Sequence, residues 1–152
     1  MADNEALADA LKFANKENLP LLILGGGSNL VLKDDFPGLA ILIKHEGIEE
    51  VGEDEDFVFI EVGAGENWHK LVEHCLSFHL WGLENLSLIP GNVGAAPIQN
   101  IGAYGVELQD VFLELQAMEV QSRVLVNFEK PACEFGYRDS VFKNRFRDRY
   151  VI

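Results

Sequence analysis

The residue pattern encodes an α+β protein, with a small α/β lobe over residues 1–45 and a larger lobe built on strands over residues 46–152. Three observations predict this. A helical stretch near the start runs straight into short apolar runs. Two later stretches, 48–62 and 111–128, each read as strand, turn and strand. Between them, residues 82–109 fit neither helix nor strand.

In the first lobe, Asp3 or Asn4 caps a helix whose Ala6, Leu7, Ala10, Leu11 and Ala14 share a face. Asn18 and Pro20 stop it. Leu21–Leu24 is wholly apolar and short, the pattern of a strand buried on both faces. Gly25-Gly26-Gly27-Ser28-Asn29 follows at once, then Leu30-Val31-Leu32 as a second strand, a turn at Asp34–Gly38, and a third strand from Leu39 to Ile43.

The larger lobe begins with Ile48–Val51 and Phe57–Val62, joined through Glu53-Asp54-Glu55-Asp56, a solvated hairpin tip. Gly63-Ala64-Gly65 ends that strand. Asn67 caps a second helix with Leu71, Val72, Cys75 and Leu76 on one face, extended by Trp68 and Phe78. His69 and His74 lie five apart, off the i,i+4 spacing of a helical metal pair, so no metal site is expected. Val111–Val120 and Arg123–Phe128 read as strands, and the chain reaches Arg149-Tyr150-Val151-Ile152 with another under way.

Net charge is −13, unevenly spread: residues 1–122 hold 5 Lys/Arg against 21 Asp/Glu, residues 123–152 hold 7 against 4. Such a surface repels nucleic acid and anionic membranes, so neither is expected as a partner. No apolar run approaches the roughly 18 residues of a membrane span. The start lacks a basic region followed by an apolar one, so no secretory signal is read there. Cys75 and Cys133 have no ligand spacing and read as buried or idle thiols of a reducing compartment, the cytoplasm. No obligate protein partner is called for.

Three places can carry chemistry. Successive glycines at 25–27 let backbone amides converge on phosphate oxygens, with Ser28 and Asn29 adding donors. A plain tight turn is the other reading, because no long helix follows and no Gly-Lys-Ser/Thr ending is present. Residues 82–109 combine five glycines and two prolines with Leu86, Leu88, Ile89, Val93, Ile98 and Ile101. Ile89-Pro90-Gly91-Asn92-Val93-Gly94-Ala95-Ala96-Pro97 suits a wall of small residues along a flat heterocycle. Gln99 and Asn100 offer amide groups to match, and Tyr104 a ring and a hydroxyl. A structural loop with a satisfied tyrosine is the alternative. Third, Tyr137-Arg138 places a forked cation suited to carboxylate or phosphate, unless Asp139 takes it in a local ion pair.

Taken together, these segments resemble the UDP-N-acetylenolpyruvoylglucosamine reductase family, the FAD enzymes of peptidoglycan precursor synthesis. The resemblance rests on Ile23–Asn29, Val62–Trp68, Gly82–Leu86 through Ile89-Pro90-Gly91, Pro97–Glu107 and Phe135–Ser140. The Pro97–Glu107 match is the most specific, and it is similar to the form of the family that carries a tyrosine in this loop.

The resemblance implies a fold of the vanillyl-alcohol-oxidase type, with two lobes clasping FAD. It implies the FAD pyrophosphate on Gly25, Gly26, Gly27, Ser28 and Asn29 and on the loop of Ile89, Pro90, Gly91, Gly94, Ala95 and Ala96. The isoalloxazine would lie against Ile98, Gln99, Asn100 and Gly102, with Ile152 near it. Tyr104 would face the substrate, and Arg138 would be catalytic and bind substrate. NADPH would supply hydride, the flavin would relay it to the enolpyruvyl carbon of a UDP-sugar, and Arg138 would stabilise charge spreading onto the carboxylate.

The family completes its site with a serine and a glutamate in a further substrate-binding domain, absent from these residues. The expectation is therefore a truncated chain that holds FAD and turns substrate over poorly. A non-catalytic flavin module, or an oxidase or dehydrogenase of the same fold, remains the alternative. No His or Cys flanked by glycine suggests covalent flavin attachment.

Overall fold

A computed structural model describes residues 3–152. Helix α1 (Asn4–Lys16) starts where Asp3 accepts the Ala6 amide at 2.7 Å, satisfying a donor that the first helical turn leaves open. Its buried face is Leu7, Leu11 and Ala14. Asn18 closes it with φ 52°, a left-handed conformation that asparagine adopts readily.

Strand β1 (Leu21–Leu24) pairs in parallel with β2 (Leu39–Leu42), Leu21 facing Leu39 and Leu24 facing Leu42. The expectation of a strand buried on both faces is corrected: β1 belongs to a two-stranded sheet, and Ile23 is exposed. The expected strand at Leu30–Leu32 is also absent. A parallel pair needs a return connection to the same end of the sheet. Residues 25–38 spend their length on that return, leaving Val31 89% exposed.

The hairpin of β3 (Ile48–Glu53) and β4 (Val58–Val62) forms as expected, bulged between Glu50 and Gly52. Its acidic tip is an Asx turn: the Asp54 carboxylate accepts the amides of Asp56 and Phe57 at 2.9 and 2.7 Å. Helix α2 (Trp68–Ser77) is capped by Asn67, which accepts the Lys70 amide at 3.0 Å. Trp68, Leu71, Val72 and Cys75 are buried, and Trp68 Nε1 donates to the Leu86 carbonyl at 2.8 Å. Phe78 does not extend this face; it follows the last helical residue, stacks near His74 and is exposed.

Short 3-10 turns at Glu84–Leu86, Val93–Ala95 and Pro97–Gln99 carry the chain through the glycine-rich region. A two-residue pairing of β5 (Gly102–Ala103) with β6 (Val106–Glu107) holds Tyr104 and Gly105 at its turn. The last sheet has β7 (Glu114–Glu119) between β8 (Leu125–Glu129) and β9 (Tyr150–Val151), all antiparallel.

Three apolar clusters hold these parts together. One surrounds Trp68, Leu86, Ala96, Ile101 and Leu108. The second joins Leu7, Leu11, Ile41 and Ile43 of the first lobe to Met118 and Val151 of the last sheet. The third packs Phe128, Cys133, Val141 and Phe142, with Phe128 edge-on to Phe142 and to Tyr150 at centroid distances of 5.1 and 5.0 Å. The small lobe shares its core with the larger one, so burial itself fixes one against the other.

Candidate functional site

Gly25–Asn29 follows directly on β1, as the glycine-rich turn reading requires. Among the described residues, the amides of Gly26, Gly27, Ser28 and Asn29 donate to no protein acceptor. All four residues are exposed, and a Cβ on Gly27, whose φ is 71°, would meet nothing within 4 Å. A run of open amides around a left-handed residue offers donors suited to an anion. That donor set fits a pyrophosphate.

The loop after Ile89 comes to the same place. A Cβ on Gly91 would lie 3.8 Å from Ser28 Oγ. A Cβ on Gly26 would lie 2.7 Å from Asn92 Oδ1, so Asn92 packs flat against the glycine turn and bulk there is excluded. Asn92 is in turn fixed from behind, its Nδ2 donating to the Gly65 carbonyl. The Gly91 carbonyl accepts the Trp68 amide at 3.1 Å, and the Val93 amide reaches the Glu66 carbonyl at 2.9 Å.

Within this loop the amides divide. Those of Val93, Gly94, Ala95 and Ala96 are bonded within the protein, to Glu66, Ala64, Asn92 and Val93. Ala96 is buried in the Trp68 cluster, Ile89 packs beside it, and Pro90 and Ala95 are exposed. The amides of Gly91 and Asn92 have no acceptor among the described residues. Gly94 is needed for packing: a Cβ there would meet Ala64 Cβ at 2.7 Å.

Gly94 and Ile152 line one cavity of about 620 Å³, together with Val62, Gly63, Ala64 and Pro97. Its further wall is β4 and residues 111–116. Gly25–Asn29, Ile98 and Gln99 lie outside its lining, so the expected site residues divide between a surface turn and this cavity.

At the next turn, Ile98 is exposed, Gln99 and Gly102 are half-buried and Asn100 is fully buried. The Asn100 amide is committed within the protein. Its Nδ2 donates to Glu107 Oε2 and to the Gly136 carbonyl, each at 3.0 Å, and its Oδ1 accepts the Gln109 amide at 3.0 Å. Glu107 Oε2 also accepts from Gln109 Nε2 at 2.6 Å. Ser140 Oγ donates to the Ile98 carbonyl at 2.7 Å. Reading the sequence singled out neither Asn92, Glu107 nor Ser140 for a role. Their bonds reach across 27, 7 and 42 residues, and local pattern carries no signal of such distances.

Tyr104 is 90% exposed at the β5–β6 turn, with φ 53°. Arg138 is exposed at a second tight turn, where the amides of Gly136 and Asp139 bond to each other's carbonyls at 3.0 and 3.1 Å. Its expected alternative, an ion pair with Asp139, is not formed among the described residues. Asn144 Nδ2 takes the Asp139 carboxylate at 2.8 and 2.9 Å instead. Arg145 and Arg149, by contrast, are engaged with Glu134 and Glu119.

Cys75 and Cys133 are free and buried, and burial pushes the Cys133 thiol from its ordinary 9.0 up to about 11. No group of three or more His, Cys, Asp or Glu able to hold a metal ion occurs among the described residues. Nor is any described helix long and apolar enough to cross a membrane.

Comparison with known proteins identifies the family. The FAD binding domain family model matches residues 1–126. This chain belongs to that family. It is 49% identical over 146 residues to the UDP-N-acetylenolpyruvoylglucosamine reductase of Amoebophilus asiaticus, covering 96% of this chain and 43% of the relative. The corresponding reductase of Escherichia coli is 47% identical over 150 residues, 99% of this chain and 44% of its own length. The chain thus spans less than half of these relatives. Among solved structures, the UDP-N-acetylenolpyruvylglucosamine reductase of Thermus caldophilus superposes with a TM-score of 0.68 at 25% identity, covering 92% of this chain and 48% of that one. A VAO-type flavoprotein of Myceliophthora thermophila shares the fold, with a TM-score of 0.66 at 17% identity over 92% of this chain and 29% of that one. The fold is the vanillyl-alcohol-oxidase type, and the resemblance to the reductases runs along nearly the whole FAD-binding chain.

Proposed function

We propose that this chain is the flavin-holding part of an NADPH-dependent reductase that converts UDP-N-acetylglucosamine enolpyruvate to UDP-N-acetylmuramate, a cytoplasmic step of peptidoglycan synthesis that serves cell-wall growth, cell shape and division. The observation that carries the reading is the meeting of Ser28 with Gly91, which sets two groups of open amides side by side.

In this reading residues 1–45 and 46–152 clasp the cofactor. The amides of Gly26–Asn29, Gly91 and Asn92 bind the FAD pyrophosphate without needing a cation. That economy suits a region with 5 Lys/Arg against 21 Asp/Glu. Asn92 orients the glycine turn by packing on Gly26. Ile98, Gln99 and Gly102 flank the ring, with Ile152 at the edge of the cavity. The chemistry that FAD supplies is relay of hydride from NADPH to the enolpyruvyl double bond.

Hydride addition to that double bond moves charge toward the substrate carboxylate. Arg138 stabilises it: a guanidinium with no carboxylate partner among the described residues pairs in a forked way with the substrate carboxylate, and the pairing strengthens as charge develops. Tyr104, at an exposed turn, contacts the substrate and covers it from water. The acidic surface keeps nucleic acid and anionic membranes away.

Titration of the purified chain with FAD tests the first half. Binding with flavin absorbance and quenched fluorescence is expected, and its absence would sink the reading. A substrate-dependent NADPH oxidation assay with the UDP-sugar enolpyruvate, run on a version of the chain extended to the length of its relatives, separates the reductase from a flavin oxidase of the same fold.

A further inference from the structure

Asn100 and Ser140 are the two buried polar residues among those described, 0% and 1% exposed. Both join the same two turns. Asn100 Nδ2 reaches from the 97–100 turn to the Gly136 carbonyl at 3.0 Å. Ser140 Oγ reaches back from the other flank to the Ile98 carbonyl at 2.7 Å. Arg138 stands between these anchors, on a turn closed by the Gly136–Asp139 backbone pair.

We infer that Asn100, Ser140 and Glu107 are positioning residues, which fix the Arg138 turn against the Pro97–Asn100 turn so that the guanidinium meets a substrate carboxylate in one orientation. This rests on the reading of Arg138 given above.

Three features support it. Arg138 has φ 53°, a left-handed conformation that costs a non-glycine residue free energy and persists only where its surroundings over-determine it. Tying both flanks of the turn supplies that constraint. Next, the Asn100 amide has one admissible orientation. Exchanging its nitrogen and oxygen would set the oxygen against the Glu107 carboxylate and the Gly136 carbonyl, and the NH2 against the Gln109 amide. Glu107 therefore selects the rotamer that reaches Gly136. Lastly, a buried polar pair costs desolvation that an apolar pair of similar size would not. A clamp built from the described core's buried polar residues, around a turn whose tip is an exposed arginine, adds geometry at the cost of packing.

The test uses the 152-residue chain loaded with FAD, with UDP-N-acetylglucosamine enolpyruvate as probe. The flavin visible bands report probe affinity, amide ¹⁵N relaxation at 137–139 reports the turn, and a thermal melt monitors folding. Ser140→Ala is expected to weaken the probe about tenfold while FAD affinity stays within about twofold. The Arg138 amide order parameter should fall from about 0.85 to below about 0.6. Ser140→Thr should restore both, and Glu107→Gln, a milder change, should show the same pattern at smaller size. Unchanged probe affinity in Ser140→Ala, or a turn that stays rigid, would overturn the inference. So would a parent chain without measurable affinity for the probe. If Arg138→Ala binds the probe as tightly as the parent, the reading of Arg138 fails and the inference with it. The relaxation arm tells that failure from a failure of the clamp itself.

Discussion

At the Gly25–Asn29 turn four successive amides of exposed residues have no acceptor among the described residues, whereas around Arg138 the buried side-chain donors and acceptors are paired. The first region keeps its backbone unsatisfied and water-exposed, so a ligand can satisfy it. The second uses buried side chains to set an exposed tip. Holding a cofactor and aiming a side chain thus place opposite demands on burial. The glycines that open one site would loosen the other.

If that contrast is sound, truncating the clamp should cost stability most. Asn100→Ala leaves the Gln109 amide, the Gly136 carbonyl and Glu107 each short of a partner, and a loss of about 2–4 kcal/mol is expected by chemical denaturation. Gly94→Ala comes next. Its methyl must displace Ala64, and overpacking of this kind costs about 1–3 kcal/mol, read from the same denaturation midpoint.

Gly26→Ala should behave differently. The methyl meets only the end of the Asn92 side chain, so the melt should move little while FAD binds about tenfold more weakly, about 1.4 kcal/mol. A large drop in stability with unchanged FAD affinity would erase the distinction between the two regions.

The smallest effect concerns Cys133, in the core cluster of Phe128, Val141 and Phe142. Its folded-state pKa lies above its unfolded value, so its contribution to stability is whole below pH 9.0 and is lost as pH rises toward about 11. Native protein at pH 8 should resist thiol alkylation at this residue, and Cys133→Ser should remove part of the alkaline loss of stability.

Much of the frame could be read from residues alone. Asp3 and Asn67 cap the helices, the acidic tip turns its hairpin through Asp54, and Cys75 and Cys133 are buried thiols. Leu30–Leu32 misled because an apolar run has the same text whether it joins a sheet or crosses open to solvent between parallel strands. Phe78 misled because helical spacing continues in the sequence past the point where the helix ends. The candidate site was legible where backbone makes it, as at Gly25–Asn29. Where distant side chains make it, at Asn92, Glu107 and Ser140, it was not, since those bonds exist only once the chain has folded.

The two tryptophans also sit in opposite settings: Trp68 is 2% exposed and bonded to Leu86, while Trp81 is 68% exposed at the cavity wall. The protein therefore carries two natural fluorophores with separable emission. Aqueous iodide should quench the red-shifted Trp81 band and leave the blue-shifted Trp68 band, so the exposed surface and the integrity of the core can be followed in one cuvette without a label.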